Sequence, residues 1–128
     1  MNTKKTKITL LIIFLLLLNT VVISFFFLNL PKGKTYHIIL TKDGFEPQSL
    51  TIHRGDTLIF STTTGKQFWP ASNLHPTHKI YPAFDPQLPI APDKTWSFTF
   101  DKAGSWQFHD HLAPIFKGQI TVLANDKS

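Results

Sequence analysis

Six histidines occur among the 128 residues, and four of them fall into two short clusters. His109-Asp110-His111 follows Ser105-Trp106-Gln107-Phe108, and His75-Pro76-Thr77-His78 lies upstream in a proline-rich stretch. Neutral imidazole nitrogen binds copper and zinc well, and a carboxylate beside it can ligate the ion or orient the ring. His75, His78, His109 and His111 are therefore candidate metal ligands, with Asp85 and Asp110 as candidate oxygen ligands or orienting groups. Plainer readings stand beside these. One of His109 and His111 packs with a satisfied hydrogen bond while the other is solvated; the prolines around His75 and His78 make a rigid structural loop; the two aspartates bond loop backbone. His37 and His53, on or beside early strands, read as surface or edge residues.

Other chemistry finds little footing. With no cysteine the chain has no disulfide, no thiolate metal site and no thiol nucleophile, and it lacks the residue that bacterial lipidation needs. Ser72 and His75 imitate a nucleophile and base, but no strand-to-helix elbow follows Ser72 and no third orienting group can be assigned. Paired carboxylates at a catalytic spacing are missing, so the chain reads more as a non-enzyme than an enzyme. Arg54-Gly55-Asp56 matches a cell-adhesion tripeptide but coincides with a strand-connecting turn.

The elements that must position the histidines are strands. Tyr36–Leu40, Ser49–His53 and Thr57–Ser61 are short, rich in β-branched and aromatic residues, and separated by the turn formers Lys42-Asp43-Gly44 and Arg54-Gly55-Asp56. Thr95–Phe100 and Ser105–Phe108 alternate, placing Trp96, Phe98 and Phe100 on one face and Trp106 and Phe108 on one face; Gln119–Leu123 closes the set. Short strands with regular turn signals predict a sandwich. The stretch from Ser61 to Thr95 has no clear period, and its Phe68, Trp69, Tyr81 and Phe84 predict a packed loop, with Trp69 placed to shield a site from water.

The N-terminus is a separate part. Met1 to Lys7 holds three lysines and no acid, and Ile8 to Leu30 is an uncharged, largely apolar run. As a helix it reaches roughly 35 Å, enough to cross a bilayer core of about 30 Å. No good cleavage site follows, Val22-Ile23-Ser24 being a weak one that would leave Phe25-Phe26-Phe27-Leu28 exposed, so an uncleaved anchor is expected over a signal peptide. Lysines ahead of the span keep the N-terminus cytoplasmic and put the rest on the periplasmic or extracellular side. The formal charge of +5 then divides: three lysines flank the anchor, and the remaining ten basic residues scatter among eight acidic ones, which argues against nucleic acid.

Phe45-Glu46-Pro47, Leu50-Thr51-Ile52 and Gly55-Asp56-Thr57-Leu58-Ile59-Phe60 together resemble the second and third strands of the cupredoxin family. Gly104 to His111, followed by Gly118-Gln119-Ile120-Thr121-Val122, resembles its last two strands with the ligand loop between them. The Trp69-to-His78 run is similar to cysteine-lacking, uncharacterised bacterial cupredoxin-like proteins. The resemblance implies an all-β, Greek-key β-sandwich, here preceded by one transmembrane helix. It also implies that a blue-copper centre is excluded, since Phe108 falls where plastocyanin-like relatives have cysteine, Phe116 where they have methionine, and Phe68 near the upstream histidine. Phe108-His109-Asp110-His111 is similar to the aromatic-His-x-His motif of multicopper oxidases, and the loops after the third strand and before the last strand meet at one end of such a sandwich.

The resulting expectation has residues 1–30 as cytoplasmic tip and anchor, 31–34 as linker, 35–124 as cupredoxin-like domain and 125–128 as tail. The domain is expected to hold copper, with zinc fitting the same ligands, through His75, His78, His109 and His111, for copper handling or delivery. Its partners are then the membrane, the metal ion and a further protein. The alternative is a metal-free interaction or assembly module that keeps the fold and uses the aromatic-rich loop as a contact surface.

Overall fold

The computed structural model describes residues 3–28 and 33–125; half of the expected linker and most of the expected tail lie outside them. The chain forms two compact units, residues 1–31 and 32–128. The first contains helix α1 (Thr3–Leu28), whose Lys7–Phe25 stretch is long and apolar enough to cross a membrane. Two of its polar side chains bond the helix's own carbonyls: Asn19 donates to Leu15 (3.0 Å) and Thr20 to Leu17 (2.8 Å). Such internal pairing is what a polar group in hydrocarbon requires.

The second unit is a sandwich of two four-stranded sheets. The first sheet has the order β2-β1-β4-β6, from β1 (Thr35–Thr41), β2 (Gly44–Glu46), β4 (Thr57–Thr62) and β6 (Trp96–Thr99). The second has the order β3-β8-β7-β5, from β3 (Ser49–His53), β5 (Pro70–Ser72), β7 (Gly104–Asp110) and β8 (Ala113–Leu123). β1 runs parallel to β4 and β3 parallel to β8; the other pairs are antiparallel, so both sheets are mixed. The chain changes sheet after β2, β3, β4, β5 and β6.

Period-two alternation builds the core. Ile38 and Leu40 of β1, Leu58 and Phe60 of β4, and Ile120 and Val122 of β8 are buried, while their neighbours turn outward. Phe108 of β7 bridges the sheets, with ring centroids 4.7 Å from Phe45 and 5.7 Å from Phe60. Its cross-strand partner is Gly118, where a Cβ would stand 2.4 Å from the Phe108 ring, so only glycine lets the ring lie there. The expected packed loop supplies part of this core. Phe68, Tyr81 and Phe84 are buried, and Phe84 stacks on Trp96 at 5.7 Å.

Several details differ from the pattern of residues. The aperiodic stretch after β4 contains β5, which pairs with β7 as Pro70↔Asp110, Ala71↔His109 and Ser72↔Phe108. The segment expected as a loop between the last two strands is mostly ladder, because β7 runs to Asp110 and β8 starts at Ala113. His109 is consequently a strand residue. The Arg54-Gly55-Asp56 turn is structural: the buried Asp56 carboxylate accepts from the backbone N–H of His53 (2.8 Å) and of Lys34 (2.6 Å). His37 and His53 are exposed.

Candidate metal centre

Phe108 points into the core, so strand alternation sends His109 to the outer face of the second sheet, and the i, i+2 spacing brings His111 to the same face. Asp110 between them faces the other way; its Oδ1 accepts from Trp69 N–H (2.8 Å) and Leu112 N–H (3.3 Å). On the neighbouring edge strand, alternation places Trp69, Ala71 and Asn73 beside the two histidines. His111 N–H donates to Trp69 C=O (2.8 Å) and Asn73 N–H to Gln107 C=O (2.9 Å), extending the β5–β7 pairing at both ends.

After Asn73 the chain folds back over this face and delivers His75 and His78. His78 adopts φ 51°, a left-handed conformation uncommon for a non-glycine residue. The turn is held from below by the buried Ser72 hydroxyl, which bonds the carbonyls of His78 and Tyr81 (2.9 Å each). That engagement leaves Ser72 as a loop fastener rather than a nucleophile. Ser72 N–H donates to Phe84 C=O (2.9 Å), so the returning chain also covers the open edge of β5.

The four imidazoles converge. One nitrogen from each of His75, His78, His109 and His111 lies within 4.8 Å of all the others. His75 Nδ1 is 3.1 Å from His109 Nε2, and His78 Nε2 is 2.9 Å from His111 Nδ1. Both separations are near the roughly 3 Å expected between adjacent ligands of an ion with bonds of about 2.0 Å.

Two outer partners fix which nitrogens face inward. His78 Nδ1–H donates to Asp85 Oδ2 (2.5 Å), and Asp85 Oδ1 accepts from the Trp69 indole N–H (2.8 Å) and from Gln87 N–H (2.7 Å). His109 Nδ1–H donates to Asn73 Oδ1 (2.9 Å), an orientation set by the Asn73 amide bonding Gln107 Oε1 on its other side. Both rings are thereby turned with Nε2 toward the centre. A carboxylate or carbonyl behind a histidine is the arrangement that orients metal-binding imidazoles. Trp69 adds a ring face against His111, with centroids 4.5 Å apart.

Burial and charge act in the same sense. His109 is 1% and His78 4% exposed, whereas His75 is open to solvent and His111 half-buried. Burial first, then the neighbouring histidines His78, His75 and His111 and the Lys117 ammonium, push His109 down to about 4. His111 is also lowered, by burial and then by His78 and His75. Burial raises the Asp85 carboxyl, but hydrogen bonds from His78, Trp69 and Gln87 outweigh it and hold the group below the usual range. At neutral pH His109 and His111 are thus unprotonated, the state that can ligate an ion. Imidazole nitrogens with no thiolate suit Cu(II), zinc or nickel, with Cu(II) bound most strongly.

Asp85 therefore does more than bond loop backbone: it orients His78. Asp110 bonds backbone alone among these contacts, and Asn73 is a site residue that the sequence reading passed over. Phe68 and Phe108 are fully buried, and Phe116 packs half-buried against the core.

No protein-family model matches the chain, and no curated protein does. Solved structures match clearly. The purple cupredoxin from Nitrosopumilus maritimus aligns at 17% identity and a TM-score of 0.54, over 68% of this chain and 98% of that one. The fold is cupredoxin-like. Amicyanin from Paracoccus versutus aligns at 16% identity and a TM-score of 0.57, over 74% of this chain and 86% of its own. The Cu-containing nitrite reductase from Thermus scotoductus aligns at 18% and 0.57, over 76% of this chain and 24% of that longer one. At these identities the likeness carries the cupredoxin architecture and leaves the chemistry to the side chains of this chain.

Proposed function

We propose that this chain is a membrane-anchored cupredoxin-like protein that binds copper through His75, His78, His109 and His111 on the extracytoplasmic side, for copper handling or delivery. The observation that carries the reading is the convergence of four imidazoles, with Asp85 and Asn73 turning the two buried rings so that Nε2 faces the centre. The structural neighbours are copper proteins by their own descriptions, which favours copper over zinc. We take residues 35–124 as the metal-binding domain. The apolar helix with lysines ahead of it supports an anchor whose N-terminus is cytoplasmic.

The ligand set supports delivery over electron transfer of the blue-copper kind. Phe108 and Phe116 supply neither the thiolate nor the thioether of a blue-copper centre, and the cluster lies on the outer face of the sheet. Leu74 (64% exposed) and Leu112, each next in sequence to a cluster histidine, are exposed apolar side chains, which suit contact with a protein that takes or gives the ion. The metal-free module finds less support in the loop, because Phe68, Tyr81 and Phe84 form core rather than surface.

The test is a competition titration of the full chain in detergent with Cu(II) and Zn(II), repeated on His109→Ala and His78→Ala. Tight Cu(II) binding, stronger than Zn(II) and abolished by either substitution, is the expected outcome. Weak binding unchanged by both would sink the proposal.

A further inference from the structure

The outer face of the second sheet is hollowed beside the histidines. A recess of about 200 Å³ is lined by Asn73, Leu74, His75, His109, Pro114 and Lys117. Asn73 and Lys117 also border a second recess, of about 340 Å³, to which Gln48, Ser49, Gln107 and Gln119 contribute. Together the linings carry a single cation, several amides and a hydroxyl, and no carboxylate.

Lys117 is placed by strand pairing, directly across from His109. Its ammonium makes no ion pair among the described residues, and it is close enough to disfavour a proton on His109. The charge balance of the centre points the same way. Four imidazoles bring no negative charge to a divalent ion, Asp85 reaches it only through the His78 ring, and Asp110 is turned to the other side of β7. The side left open is that of exposed His75, which borders the recess.

We propose that this recess binds a small carboxylate-class anion, held by Lys117, as an external co-ligand of the metal. The inference rests on the metal reading above and adds to it the class of the co-ligand and the residue that selects it. A charged donor such as the Lys117 ammonium is the usual means of holding a carboxylate, and an anion between Lys117 and the ion offsets charge that the imidazoles leave uncompensated.

The experiment uses the full chain in detergent, loaded with Cu(II). Azide is titrated in and followed by its charge-transfer absorption on copper, with acetate as competitor. The wild type is expected to give a saturable band that acetate displaces. Lys117→Gln, at matched copper loading, should weaken both azide and acetate by about tenfold, and Lys117→Arg should restore most of the loss. Full copper loading with no azide band, or with equal azide affinity in wild type and Lys117→Gln, overturns this inference alone. Failure of the wild type to take up copper overturns it together with the metal reading.

Discussion

Asp85 joins Trp69 to His78: one carboxylate oxygen accepts the indole N–H at 2.8 Å and the other accepts His78 Nδ1–H at 2.5 Å. The same tryptophan lies against the His111 ring and uses its backbone N–H and C=O on Asp110 and His111. Two of the four candidate ligands are thus set by one residue pair.

Asp85→Asn keeps the shape of that link but removes its charge and replaces one of the two accepting oxygens with a donor. Removing an outer partner of a metal-bound histidine typically costs 10–100-fold in affinity, so Cu(II) affinity should fall by roughly that factor. Competition with a chelator of known strength measures it. An affinity within about twofold of wild type would mean that Asp85 does not orient a ligand.

Trp69 should report the metal. Cu(II) quenches nearby fluorophores, and Trp69 lies against the His111 ring whereas Trp96 and Trp106 pack against the hydrophobic core. Stoichiometric Cu(II) is expected to quench a large part of the emission, and Trp69→Phe to remove most of the copper-sensitive component. Quenching of the same depth in Trp69→Phe would place the ion elsewhere.

The pH dependence has a definite sign. His109 is pushed down to about 4 in the folded chain from an ordinary value of 6.5. Between those values the unfolded chain binds a proton that the folded ring refuses. The stability contributed by this group is therefore complete above about pH 6.5 and is lost as pH falls toward about 4, by on the order of 3 kcal/mol. The loss from Asp85, whose carboxyl is held below its usual range, comes at lower pH. Chemical denaturation of the metal-free protein at pH 7.5 and pH 4.5, numbers chosen as roughly one unit outside and two below the ordinary value, measures the first effect. Equal stability at the two would contradict it.

Phe108→Cys separates the two faces of β7. The new thiol would face the core that the phenyl ring fills, on the opposite side of the strand from His109. The variant should lose about 3–5 kcal/mol, as for other large-to-small core changes. Under conditions where it remains folded, its Cu(II) form should lack an intense thiolate-to-copper band. Appearance of that band would show that the centre reaches the core side.

The strands and the shared face of His109 and His111 were legible because both follow short-range rules, whereas the meeting of the two histidine clusters was expected only from the resemblance to cupredoxins. Alternation exposes a strand such as Leu58–Phe60, and an i, i+2 pair on a strand shares a face, as His109 and His111 do. Asn73 was not legible. β5 spans three residues in a proline-rich stretch, too short to show a period, and the alternate positions Trp69, Ala71 and Asn73 acquire meaning only when β5 pairs with β7. The early start of β8 was hidden likewise, since Ala113 to Gly118 does not alternate and its pairing comes from β7. Asp85 could be named as a candidate but not assigned, because its partners Trp69 and His78 meet it through tertiary folding.

The most direct measurement of the central claim is pulsed electron paramagnetic resonance of the full chain in detergent with one equivalent or less of Cu(II). It counts the imidazoles bound to the ion. A single copper species coordinated by the four histidines, reduced in count by His75→Ala and lost in a His109→Ala, His111→Ala double variant, is the predicted result. A spectrum without histidine coupling, or one that the double variant leaves unchanged, would contradict the account.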